Sequence, residues 1–205
     1  MTTSTDEGGV SSIASEFAEA LDQATDASIQ VQEVSDLELI RIEINPFSDA
    51  ALRLEKVIGT AFPQYAGEVT GDALAQEILY GTRQIVALLY VDETTFLLVT
   101  RVDGVKLGRA LDNALSSDPG LIVNVSVNRS VIELSGPQSH GIIERLAEFE
   151  VKPRYFEKGM AFQCYITGAP MMLWRISDDQ YLLVPRHAHT APFIVVLLDE
   201  IQKLK

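Results

Sequence analysis

One fourteen-residue pattern occurs twice in this chain. LLYVDETTFLLVTR at 88–101 and LWRISDDQYLLVPR at 173–186 align without a gap at an offset of 85, with five identities and with Val/Ile, Glu/Asp and Phe/Tyr matched in kind. Each copy is two apolar runs around a polar turn, Asp92-Glu93-Thr94-Thr95 in the first and Ser177-Asp178-Asp179-Gln180 in the second. That is the pattern of an antiparallel hairpin. Upstream of each copy, a strand stops at a proline turn and passes into an amphipathic stripe. In the first half the alternation over 37–44 ends at Asn45-Pro46, and Ala50, Leu52, Leu54, Val57 and Ile58 follow as a helix that Gly59 ends. In the second, Val131 opens a strand, Ser135-Gly136-Pro137 turns the chain, and Ile142, Ile143 and Leu146 fall at helical spacing. Pro137 suits the first helical turn, where its missing N–H would have no partner.

The remaining elements fit the same order. Val105, Leu107, Leu111, Ala114 and Leu115 mark a helix after the first hairpin, and 193–204 a helix after the second, with Pro192 at its start. Residues 60–82 read as loop with a strand near 77–79, 121–127 as the strand opening the second half, and 161–167 as a further strand. Strand, helix, two or three strands, helix, given twice, is an α+β architecture. We expect two tandem ferredoxin-like split βαβ units with antiparallel or mixed sheets, spanning 37–120 and 121–205, plus an N-terminal helical arm over 1–36.

The arm differs from the body in charge. Nine of the 29 acidic residues precede Leu39 with no Lys or Arg among them, so the net charge of −13 divides into −9 there and −4 over the other 167 residues. Residues 1–9 cannot offset the entropy of ordering and are expected to be mobile. Val10, Ile13, Phe17 and Leu21 then mark one helical face, with Ser11 or Ser12 as its cap. One face makes no core, so the helix must dock. We expect Ile13, Phe17 and Leu21 to lie against a partner subunit. The body carries no basic stripe to neutralise phosphates, which argues against nucleic acid and against an anionic membrane surface. The lone Cys164 excludes an intrachain disulfide. No signal peptide follows Met1 and no apolar run reaches membrane-spanning length, so a cytoplasmic location is expected.

Catalytic constellations are sparse. The three histidines are His140 in the first turns of a helix and His187 and His189 after a strand end, none set beside a nucleophile. Asp92-Glu93 and Asp178-Asp179 occupy hairpin turns, where solvated turn residues are the ordinary case. Arg101 and Arg186 end the two repeated hairpins at equivalent positions, to charge a sheet edge or to meet a partner's carboxylate. With Ile13, Phe17 and Leu21 they are the candidate interface residues; no catalytic, cofactor or metal residue is assigned.

Several of these stretches resemble the gamma subunit of heterotetrameric sarcosine oxidase. IELSGP at 132–137, Pro153, the Gly-x-x-x-Gln step from Gly159 to Gln163 and the strand ending in Val184-Pro185-Arg186 are similar to that family's motifs, as is the first hairpin over 89–99. The chain departs from the pattern at Asn124-Val125-Ser126, over 149–153 where only the proline is kept, and at Cys164 in place of Thr. The resemblance implies a fold related to the folate-binding domains of the glycine-cleavage T-protein. It also implies a subunit with no cofactor of its own, joined to larger alpha and beta subunits that carry FAD, FMN, NAD and tetrahydrofolate. The complex would oxidise the N-methyl group of sarcosine or a related amine and pass the one-carbon unit to tetrahydrofolate. The competing reading is a stand-alone tetrahydrofolate-binding one-carbon transferase, with the turn at Ser135-Gly136 facing the folate's polyglutamate tail.

Overall fold

The elements follow from the hydrophobic pattern and its punctuation. The computed structural model describes residues 12–72, 78–79, 82–83 and 86–204. A 3₁₀ turn, Ile13–Phe17, leads into α1 (Ala18–Ala24), followed by β1 (Gln30–Glu33), β2 (Glu38–Glu43) and α2 (Asp49–Ile58). Then come β3 (Val69–Asp72), the short β4 (Ile78–Leu79) and β5 (Thr82–Arg83), β6 (Val86–Tyr90), β7 (Thr95–Thr100) and α3 (Gly104–Leu115). After these come β8 (Leu121–Asn124), β9 (Ile132–Ser135), α4 (Ser139–Leu146), β10 (Ala161–Ile166), β11 (Ala169–Arg175), β12 (Gln180–Pro185) and α5 (His187–Gln202). Caps fix the helix ends. The Ser48 hydroxyl accepts from the Ala51 N–H at 3.1 Å, Gly59 closes α2 at φ 87°, and the Asp103 carboxylate accepts from Val105 and Lys106 at the start of α3.

Two five-stranded antiparallel sheets result, in the orders β3-β6-β7-β2-β8 and β1-β9-β12-β11-β10. The repeat is exact in register: Leu88 pairs with Leu98 in the first sheet, and Leu173 with Leu183 in the second. The sheets stack face to face. Ala87, Leu89, Leu97 and Val99 of one meet Met172, Trp174, Leu182 and Val184 of the other in a single apolar layer. The opposite face of the first sheet is covered by α2 and α3, through Leu54, Ile58, Leu111 and Leu115 packed on Ile40, Leu88 and Leu98. That of the second is covered by α4 and α5, through Ile142, Ile143, Phe193 and Leu197. Strand β7 is buried on both faces, as a strand in such a four-layer stack must be.

Several expectations are corrected in detail. A split βαβ unit has four strands, whereas each sheet here has five. The strand at 121–124 does not open the second half. It pairs with β2 in the first sheet, covering an edge that would otherwise be bare, and Ile122 packs on that sheet's helix-facing core. The equivalent place beside β9 is filled by β1, from the N-terminus. Strand β3 lacks an apolar alternation because it is an edge strand, paired among the described residues with β6 alone. Helix α5 starts at His187, six residues before Phe193, so Pro192 lies inside it. Both Pro192 and Ala188 are exposed, which leaves the carbonyl that the proline cannot serve to solvent.

The arm folds back on its own body. Ser12 caps the 3₁₀ turn, its hydroxyl accepting from the Ala14 N–H at 3.2 Å. Ala14 and Leu21 are 0% and 2% exposed in the core that also holds Phe193, Leu197 and Ile201 of α5. Leu21 is therefore not a free interface residue: an apolar stripe and a covered sheet face in the same chain satisfy each other. The expectations for residues 1–11, Val10 and Ser11 included, lie outside the described residues.

Candidate functional site

The turn that ends β9 is occupied by the chain itself. Gly136 has φ 107°, and a Cβ there would stand 2.7 Å from the Ser28 carbonyl oxygen, so glycine is required on both counts. The Gly136 N–H donates to the Asp179 carbonyl at 2.9 Å and the Gln138 N–H to the Ser28 carbonyl at 3.1 Å. These bonds clamp the segment before β1 and the β11–β12 hairpin to the start of α4. The turn is thus a structural clasp, and its amides have partners. His140 beside it holds the Tyr181 hydroxyl at 2.8 Å, and burial pushes the Tyr181 phenol up to about 12.

A more open feature lies at one end of the layer between the sheets. A cleft of about 210 Å³ is lined by Arg41, Arg129 and Arg186, with Gln163, Asp92 and Thr95 among its polar neighbours and Leu97 and Met172 as its apolar floor. Strand geometry brings these residues together. On β2, Ile40 and Ile42 face the helices while Leu39 and Arg41 face the other sheet. Gln163 stands opposite Met172 across β10 and β11. Arg129 and Arg186 are paired through an antiparallel bridge of their backbones. Burial first, and then the positive charges of Arg186 and Arg41, lower Arg129 from its ordinary value. Arg41 pairs with Glu43 at 2.7 Å, but among the described residues neither Arg129 nor Arg186 has a carboxylate partner.

The candidate residues from the sequence separate. Arg186 lines the cleft and is exposed. Arg101 does not: it is paired with Asp36. Ile13 and Phe17 are half-buried, with Phe17 packed on the core that encloses Leu21. His187 and His189 lie in the first turn of α5, and no group of three His, Cys, Asp or Glu side chains that could hold a metal ion occurs among the described residues. Cys164 lies on edge strand β10 beside Tyr155 and Phe162, with burial pushing its thiol up to about 12. Asp178 pairs with Lys158 at 3.0 Å and Arg175 at 3.1 Å, as a turn residue would. Arg41 and Arg129 went unmarked in the sequence. The signal for Arg41 is its charge among the apolar Leu39, Ile40 and Ile42 of its strand; Arg129 gives none.

Among the described residues no helix is long and apolar enough to cross a membrane. No family model matches the chain. It is similar to the sarcosine oxidase gamma subunit of Arthrobacter sp., 30% identical over 187 residues, covering 91% of this chain and 87% of the relative. With the gamma subunit of Corynebacterium sp. (strain P-1) the identity is 29% over the same length and coverage. Among solved structures it superimposes on a chain of heterotetrameric sarcosine oxidase from Corynebacterium sp. U-96 in complex with pyrrole 2-carboxylate. There the TM-score is 0.84 at 25% identity, covering 94% of this chain and 95% of that one. Glycine cleavage system aminomethyltransferase T from Bartonella henselae shares the fold, with a TM-score of 0.61 at 14% identity over 87% of this chain and 48% of that one.

Proposed function

Because the chain belongs to the family of sarcosine oxidase gamma subunits, we propose that it is the small, non-catalytic subunit of a flavin-dependent sarcosine oxidase-like heterotetramer in the cytoplasm. Its larger partners carry FAD, FMN, NAD and tetrahydrofolate. The complex oxidatively demethylates sarcosine or a related N-methyl amine, and the one-carbon unit passes to tetrahydrofolate. One observation carries this reading: the likeness runs through nearly the whole of both chains, in sequence and in fold, so the chain matches a whole gamma subunit and not a module shared by unrelated proteins. We read its two halves as a duplicated ferredoxin-like unit extended by one strand.

Co-purification tests the assignment. Expressed with its genomic neighbours and recovered by a tag, the chain should bring down larger subunits with flavin absorbance and sarcosine-dependent reduction. Recovery without any flavoprotein sinks it. The stand-alone transferase reading rests on the fold shared with aminomethyltransferase T, which is about twice as long. Its proposed contact, the turn at Gly136, already bonds Ser28 and Asp179. Calorimetric titration of the isolated chain with tetrahydrofolate separates the two, since tight binding there would favour the transferase.

A further inference from the structure

In a chain of net charge −13, three guanidinium groups converge on one cleft between the sheets, and two of them have no carboxylate partner among the described residues. Like charges gathered in a partly dry site repel, and the arrangement costs free energy unless a negative charge sits among them. The acids nearby offset this charge only in part, since none is paired with Arg129 or Arg186 among the described residues. Asp92 is engaged in its own turn, accepting from the Thr94 N–H at 3.0 Å, and Glu43 is taken by Arg41. Helix α5 begins one residue after Arg186 with no acid in its first turn, which adds partial positive charge at the same end.

We propose that this cleft binds an oxyanion, a carboxylate or a phosphate, between the guanidinium groups of Arg129 and Arg186. The planar fork of each arginine offers paired N–H donors matched to two oxygens of such a group, which a lysine pair would not. Gln163 adds an amide at the rim, and Leu97 and Met172 form an apolar floor that keeps the local dielectric low. The volume of about 210 Å³ suits a phosphate, a small dicarboxylate or one acidic side chain. It is below the roughly 300 to 1,000 Å³ of sites that enclose drug-sized ligands. Two sources of the anion share this chemistry: a free small anion, or a carboxylate of a larger subunit. Only the second rests on the assembly proposed above.

The test begins with the full chain in a low-salt buffer free of competing anions, titrated calorimetrically with sodium phosphate and separately with succinate. Saturable one-to-one binding by either probe, weakened at least tenfold in Arg186→Gln and in Arg129→Gln, identifies a free anion. Arg186 is exposed and its replacement leaves the core intact, so that variant decides the matter if Arg129→Gln fails to fold. Arg109→Gln, an exposed site on α3, removes the same charge elsewhere and should leave binding unchanged. If neither probe saturates, Arg186→Gln in the co-expressed complex should lower the salt concentration at which this subunit dissociates, and Arg109→Gln should not. The proposal is overturned if Arg109→Gln matches the effect of Arg186→Gln. It is also overturned if neither anion binds and Arg186→Gln leaves assembly unchanged, or if no complex forms and neither anion binds.

Discussion

Arg101 grips Asp36 with two hydrogen bonds, Nε to Oδ2 at 2.5 Å and Nη2 to Oδ1 at 3.2 Å. The pair ties the link between β1 and β2 to the end of β7. At the equivalent point of the second repeat, Arg186 has no such partner among the described residues and lines the cleft instead. One repeated position thus serves as a strap in one half and as an open cationic group in the other.

The strap has a pH signature. The hydrogen bond from Arg101, aided by its charge, holds the Asp36 carboxyl below the usual carboxylate range. Asp36 then binds protons more weakly folded than unfolded. The stabilisation is fully present above the unfolded carboxylate's pKa of about 3.9 and is lost as pH falls through the lower folded value. Asp36 is largely exposed, so solvent screening limits the effect: Arg101→Gln should cost no more than about 1 kcal/mol at neutral pH. Urea midpoints of the two proteins should differ there and converge in acid. A gap that stays undiminished in acid would mean that Arg101 acts through packing.

The apolar layer between the sheets predicts that the halves unfold together. Leu88 is fully buried on the helix-facing side of the first sheet, while Trp174, the one tryptophan, lies between the sheets on the second. Leu88→Ala should destabilise by about 2–5 kcal/mol. The loss should appear equally in tryptophan fluorescence and in far-ultraviolet circular dichroism during urea unfolding. If the fluorescence midpoint stays put while the dichroism midpoint moves, the two halves are separate folding units.

Cys164 should be a poor nucleophile. The thiol is raised to about 12, first by burial and then by the negative charge of Glu148. At pH 8 its thiolate fraction falls roughly a hundredfold or more below that of an ordinary cysteine. Labelling with a thiolate-selective disulfide reagent in native buffer should be correspondingly slow and should accelerate on unfolding in urea. Native labelling as fast as that of free cysteine would contradict the burial.

What the sequence disclosed and what it withheld divide along the range of the contacts. The repeated hairpins, α2 with Gly59 and α3 with its apolar stripe are local patterns, and each formed where the spacing put it. Placement of the fifth strands is not local. Nothing in Leu121–Asn124 says that its partner is β2, and nothing in Gln30–Glu33 says that it will complete the second sheet. The cleft is the extreme case. Arg41, Arg129 and Arg186 are far apart in the chain, and only stacking the two sheets brings them to one end of the shared layer. Arg186 was marked by the repeat, but its equivalence to Arg101 implied a shared role that Asp36 cancels.

The arm gives the last prediction. Its apolar stripe could serve a partner or its own body, and the sequence alone left docking on a partner as the expectation. In the structure Ala14 and Leu21 are sealed against α5, and the Thr25 hydroxyl hooks the helix to β1, donating to the Leu21 carbonyl at 3.2 Å and accepting from the Val31 N–H at 3.1 Å. Deleting residues 1–27 strips this cover from the second core and also removes Asp26, whose carboxylate caps the turn through the N–H groups of Ser28 and Ile29. Exposing the apolar faces of Leu21 and its neighbours should cost about 3 kcal/mol or more, equivalent to on the order of 10 °C in melting temperature for a chain of this size. Leu21→Ala should show about 2–3 kcal/mol of that loss without shortening the chain. Both effects should appear in the isolated subunit. If the truncated subunit melts as before and only assembly weakens, the stripe belongs to a partner after all.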